Sequence, residues 1–147
     1  MSYKPPQLLL RGMPYNYAVM MGMPDVISHY CHVCGKQRTN DHHMVPKGRG
    51  NKFLTLHDVK LESPLLSLCG NGTTGCHGLF HSPRLYVIVW HWFDETVERQ
   101  WWEGDLFRDG LKPKDPILHA FGEYVLYHKE WDADAKCDRW TELKVIR

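Results

Sequence analysis

The chain has 147 residues, 43% of them apolar and 24% charged, with a formal net charge of +1. This composition is that of an ordinary soluble globular protein, and the length fits one domain with a small extension. No apolar run approaches the roughly 20 residues needed to span a bilayer, which excludes a membrane-spanning helix, and the net charge by itself does not announce a nucleic-acid binder.

The distribution of charge says more. Residues 1–60 hold eight Lys/Arg against three acids, a net of +5, whereas residues 94–142 hold seven against thirteen, a net of −6. A polyanion is drawn to the first region and repelled by the second.

Residues 1–28 are rich in Pro, Met and Tyr without clean periodicity, and read as an arm or cap with at most one short helix. Their one apolar run, Leu8 to Leu10, is too short for a secretory signal, and no small-residue cleavage site follows. A cytosolic setting is expected.

Residues 29–84 carry nearly all the chemistry. YCHVCGKQR is expected to form a tight turn presenting Cys31 and Cys34. TNDHHMVP can be a short strand, on which His42 and His43 point to opposite faces. KGRGNKFLTLHDVKLES reads as a polar connection. LLSLC is a short apolar strand and GNGTTG a loop. CHGLFH looks like the first turns of a helix, with Thr73 or Thr74 available as its cap.

Residues 85–147 form an accessory region. LYVIVWHWF, residues 85–93, is β-branched and aromatic and predicts a strand. Asp94 to Trp102 is compatible with a helix, EGDLFRDGLKPKDP with a loop. EYVLYHKEW and RWTELKVI alternate apolar and polar positions, with DADAKCD as the hairpin turn between them.

Four of the five cysteines are paired by spacing, Cys31 with Cys34 and Cys69 with Cys76. In a reducing compartment such pairs read as a metal site more readily than as disulfides or buried free thiols. A structural zinc ion takes four ligands in a tetrahedron and favours thiolates. The second pair is separated by six residues rather than the usual two to four, but three of those six are glycines, which let the backbone loop out. Cys137 is a bystander.

Ten histidines are present. His77 and His81 are spaced i, i+4 and share one face of a helix, where imidazole can ligate a divalent metal. Alone, they could equally be surface histidines. His42 and His43 change the balance: the inward one completes a three-histidine site, and the outward one is free to act as a general base. A metal beside a base is what phosphodiester hydrolysis needs. His29, His32, His57, His91, His119 and His128 have no partner spacing and read as surface or core residues. Lys47, Arg49 and Lys52 are candidates for phosphate contacts. The tryptophans read as packing, since the acidic surroundings disfavour a base-stacking platform.

Through CHVC, DHHMVPKGRG and LLSLCGNGTTGCHGLFH, over about residues 31–82, the sequence resembles the HNH endonuclease superfamily, and phage and prophage members in particular. The resemblance implies an α+β fold: a ββα-metal core with structural zinc knuckles, extended by a C-terminal helix and β-hairpin. It implies a metal-dependent DNA endonuclease leaving a 5′-phosphate and a 3′-hydroxyl, cytoplasmic and phage-encoded, with DNA and phage packaging proteins as partners. By motif position, His43 is the general base, and His42, His77 and His81 ligate the catalytic divalent metal, Mg2+, Mn2+, Ni2+ or Zn2+. Cys31, Cys34, Cys69 and Cys76 are the ligands of a structural Zn2+. The stretch DHH also permits Asp41 as ligand and His42 as base. The family proline falls three residues after the base, however, and Pro46 is three after His43. One position departs from the family: Pro64, beside Ser63, stands where members usually carry the middle Asn, and Asn51 and Asn71 are too distant to replace it. That departure keeps two rivals open, a zinc-stabilised DNA-binding or packaging-assembly module with weak or no catalysis, and an RNA nuclease.

Overall fold

The computed structural model describes residues 20–44, 53–71, 74–80 and 86–146. Within them the chain is α+β. Two antiparallel strands, β1 (Asn40–His43) and β4 (Leu65–Leu68), pair with His42 opposite Leu66 and His43 opposite Leu65. Helix α1 (Gly75–Phe80) follows β4. Between β1 and β4 lies a separate hairpin, β2 (Phe53–Leu56) with β3 (Val59–Glu62).

That hairpin corrects the expectation of an irregular connection. Its turn is the dipeptide His57–Asp58, both in the left-handed region at φ 49° and 62°. A two-residue turn with both residues left-handed matches the twist of a hairpin but favours Asn-Gly. His-Asp is therefore a weak signal in sequence. Tertiary contact holds it: His57 Nε2 lies 2.5 Å from the carbonyl oxygen of Trp102.

The C-terminal region is a three-stranded antiparallel sheet, β5 (Tyr86–Trp92), β6 (Gly122–Asp132) and β7 (Cys137–Ile146), with β6 central. The predicted strand and hairpin are present. Both faces of its middle are apolar: Ile88, Trp90, Tyr124 and Leu126 join the main core, while Val89, Val125 and Tyr127 form a second buried cluster with Trp140 and Val145. Burial on both faces explains the continuous apolar run Ile88-Val89-Trp90, where a one-sided strand would alternate. At the turn, Asp132 Oδ1 accepts from the amides of Asp134 and Ala135.

Helix α2 (Glu95–Glu103) begins at Asp94, whose carboxylate accepts from Thr96 N at 2.7 Å. It buries Trp101 and Trp102 and ends at Gly104 in the left-handed conformation, φ 87°. The segment expected to be a loop carries a one-turn helix, α3 (Asp105–Arg108), and a 3-10 turn (Pro116–Ala120) capped by Asp115 follows it. Of the tryptophans, Trp90, Trp101 and Trp102 are buried, whereas Trp131 is 66% exposed.

The core does not stop at residue 28. Met20 and Met23 are fully buried, Val26 bridges in parallel to Leu66, and Tyr124 Oη donates to the Pro24 carbonyl at 2.6 Å. Residues 20–28, read from sequence as an arm or cap, thus contact both β4 and the C-terminal sheet. No helix among the described residues is long and apolar enough to cross a membrane.

Candidate metal centre and histidine cluster

Two knuckles bring four thiols together. In the first, the chain reverses after Cys31: Cys31 N donates to Lys36 O at 2.7 Å, Gly35 N donates to Cys31 O at 3.0 Å, and Tyr30 bridges antiparallel to Gln37. The reversal folds the C-x2-C segment so that both side chains face one point.

The second knuckle answers how a six-residue insert can serve. Asn71 and Thr74 close the loop reciprocally, Asn71 Oδ1 accepting from Thr74 N at 3.1 Å and Thr74 Oγ1 accepting from Asn71 N at 3.2 Å. Asn40 Nδ2 donates to Gly70 O from β1. His77 N donates to Cys69 O at 2.9 Å, and Cys76 N donates to Cys69 Sγ at 3.4 Å. Gly70 is required here: its φ is +82°, and an added Cβ would run into the Thr74 carbonyl. Thr74, expected as a helix cap, spends its hydroxyl on this loop.

The ligating atoms of Cys31, Cys34, Cys69 and Cys76 all lie within 4.8 Å of one another, a set that can hold a metal ion. Cys31, Cys69 and Cys76 are buried and Cys34 is exposed. Burial pushes the Cys31 thiol up, but N–H groups of Cys34, Val33 and Cys69 donate to it, and the net effect lowers it to about 7. Burial and the neighbouring sulfurs push Cys76 the other way, upward. A divalent cation would relieve that crowding, since thiolates are its ligands.

Beside this centre lies the histidine cluster. His42 is buried and His43 exposed. The His42 ring meets that of His77, on α1, edge to face with centroids 5.0 Å apart. His77 follows Cys76 directly, so one short helix contributes to both clusters. His81, Lys47, Arg49, Lys52 and Pro46 lie outside the described residues, as does Thr73.

Asp41 is engaged elsewhere. Its Oδ1 accepts from Ser67 Oγ at 2.8 Å and lies 3.5 Å from Arg38, and Ser67 Oγ in turn accepts from Ser28 N. Around the position where the resemblance expects Asn, backbone groups hold the strands: Met44 N donates to Pro64 O at 2.9 Å. On the far edge of β4, Asp25 Oδ1 accepts from Leu65 N at 2.8 Å and lies 3.0 Å from Lys114 Nζ. Sequence reasoning passed over Asp25 and Ser67, because a single Asp or Ser carries no spacing signal.

Fold and site together define an α+β protein with a four-cysteine cluster able to bind a metal ion, next to a pair of apposed histidines. Compared with family models, curated proteins and solved structures, the chain matches none.

Proposed function

We propose that the protein is a metal-dependent endonuclease of the HNH type acting on DNA, built on a ββα-metal core formed by β1, β4 and α1 and braced by a structural zinc ion at the four cysteines. The observation that carries the reading is the division of the two adjacent histidines: buried His42 faces His77, while His43 is exposed on the other side of the same strand. One residue suits a metal ligand, the other a base open to water and substrate.

Zinc suits the cysteine set dimensionally. A zinc–thiolate tetrahedron with bonds of about 2.3 Å has sulfur–sulfur edges of about 3.8 Å. The sulfurs of Cys34 and Cys69 are 3.4 Å apart, and all four sulfurs fall within 4.8 Å of one another.

In the reaction, His43 takes a proton from water, which attacks the phosphorus, and the 3′-oxygen leaves. His42 and His77, with His81, would hold the catalytic divalent metal, and the chemistry it would supply there is stabilisation of charge on the leaving oxygen. Lys47, Arg49 and Lys52 would contact phosphates. A second reading, a zinc-stabilised DNA-binding or packaging-assembly module without catalysis, is favoured by Pro64 at the position of the family Asn.

The deciding experiment incubates purified protein with supercoiled plasmid and Mg2+, Mn2+ or Ni2+, beside His43→Ala. Wild type is expected to nick or linearise the plasmid, and His43→Ala to lose about 10²-fold or more in rate. No cleavage by wild type with any metal eliminates the nuclease reading and leaves the binding module. Equal cleavage by His43→Ala removes His43 as base.

A further inference from the structure

The peptide unit that directs its N–H group at the Cys31 sulfur directs its carbonyl oxygen at Lys144. Val33 N donates to Cys31 Sγ at 3.4 Å. On the far side of that peptide, Lys144 Nζ donates to His32 O at 3.0 Å, and it also donates to Val33 O at 3.3 Å. The His32 carbonyl and the Val33 amide belong to one planar peptide. Together they form a chain running from ammonium through carbonyl and amide to sulfur. Hydrogen bonds in such a chain polarise one another, and the charged end strengthens them further.

The register of β7 explains how a residue 111 positions from Val33 reaches the knuckle. A bulge lies between the pairs Leu126–Lys144 and Tyr127–Glu142, so Leu143 is the unpaired residue. Lys144 lies across from Leu126, and Ile146, two residues on, shares its side of the strand. Leu126 and Ile146 belong to the core cluster that contains Cys31, Cys69 and Cys76, and Val33 packs against that cluster.

We propose that Lys144 is a positioning residue of the metal centre, the point at which the C-terminal sheet secures the first knuckle and offsets the excess negative charge of four thiolates around a divalent cation. The proposal rests on the reading of the four cysteines as a metal site. It gives the C-terminal region a role in the centre, since β7 supplies a cation to the carbonyls of the first knuckle.

The test uses the full chain loaded with Zn2+ and titrated with a chromogenic chelator, comparing wild type, Lys144→Met, Lys144→Arg and the control Lys112→Met. Lys144→Met is expected to weaken zinc affinity about 10-fold or more, within the 10–100-fold range typical of outer-sphere partners. Lys144→Arg restores most of it, and Lys112→Met matches wild type. A second readout uses Co2+. The thiolate-to-metal charge-transfer band should move to longer wavelength in Lys144→Met, because a sulfur with weaker donors gives up electron density more easily. A merely structural role would leave the band in place. Should Lys144→Met fail to fold, Lys144→Gln, polar, uncharged and one bond shorter, reads the same two quantities. Wild-type zinc affinity and an unshifted band in the uncharged variant overturn the role of Lys144 alone. Failure of wild type to bind Zn2+ or Co2+ overturns the metal-site reading and this proposal with it.

Discussion

His42 and His43 are consecutive, yet His42 is 7% exposed and His43 lies open to solvent. Strand geometry makes their side chains diverge, and the core chooses which one is inside. The two alanine variants should therefore separate. His42→Ala leaves a void beside His77 and is expected to cost about 2 kcal/mol in urea unfolding. His43→Ala should stay within about 0.5 kcal/mol of wild type, as surface substitutions do. Both should lower plasmid cleavage. Equal stabilities of the two variants would contradict the assignment of faces.

Removing a thiol of the four-cysteine cluster should unfold more than a loop. Three of the four thiols are buried in the main core. Structural zinc contributes on the order of 10 kcal/mol in small peptides. Cys69→Ser is expected to purify without stoichiometric zinc and to lose its cooperative melting transition. Wild type should carry about one zinc per chain by elemental analysis, and a strong chelator should lower its melting temperature. Acid should do the same, because protons compete with the metal for thiolates.

The β2–β3 turn offers a stabilising change. Asp58 is exposed and left-handed at φ 62°, a conformation that costs an L-residue roughly 1 kcal/mol and glycine almost nothing. Asp58→Gly is expected to raise stability by about 0.5 kcal/mol after the added freedom of the unfolded chain is counted. His57→Ala should do the reverse, losing about 1 kcal/mol with the contact to the Trp102 carbonyl. Denaturant midpoints of both variants check the pair.

His91 sets a pH dependence. Burial lowers its affinity for a proton below the ordinary value of 6.5, and Glu142 and Glu123 offset this only in part. Its ring nitrogen Nε2 lies 3.2 Å from Tyr127 Oη. The unfolded chain then binds a proton that the folded chain refuses, so this contribution is intact above about pH 6.5 and is lost as pH falls through the folded value. Unfolding midpoints from pH 7.5 to pH 5 should fall more steeply for wild type than for His91→Gln. Parallel curves would refute the assignment.

Gly122 is fixed by contact alone. An added Cβ would overlap the Trp90 ring and approach the His91 carbonyl at 2.7 Å. Gly122→Ala is expected to cost about 3 kcal/mol, the upper range for overpacking, measurable as a lowered melting temperature.

How much of this was legible in the sequence depends on the distance between partners. The Cys31–Cys34 knuckle, the strand at residues 86–92, the helix from Asp94 and the long C-terminal hairpin are local: periodicity, turn chemistry and short spacings encode them. The hairpin at His57–Asp58 was also local but escaped, because neither residue is a usual left-handed turn former. The joining of the Cys31–Cys34 pair to Cys69 and Cys76 was legible despite its span, since four thiols at those spacings have one common chemistry.

The sequence alone thus determined which residues can hold a metal and that His42 and His43 must diverge. The resemblance assigned His42 to the metal, and the tertiary structure buries it, which depends on which face of β1 meets the core. The tertiary structure alone set Asp25 against Leu65, His57 against Trp102 and Lys144 behind Cys31. Each of these bonds joins a lone polar residue to a backbone group at least 40 positions away. A backbone carbonyl or amide is present at every residue and carries no sequence signature, so its partner becomes identifiable only once the chain has folded.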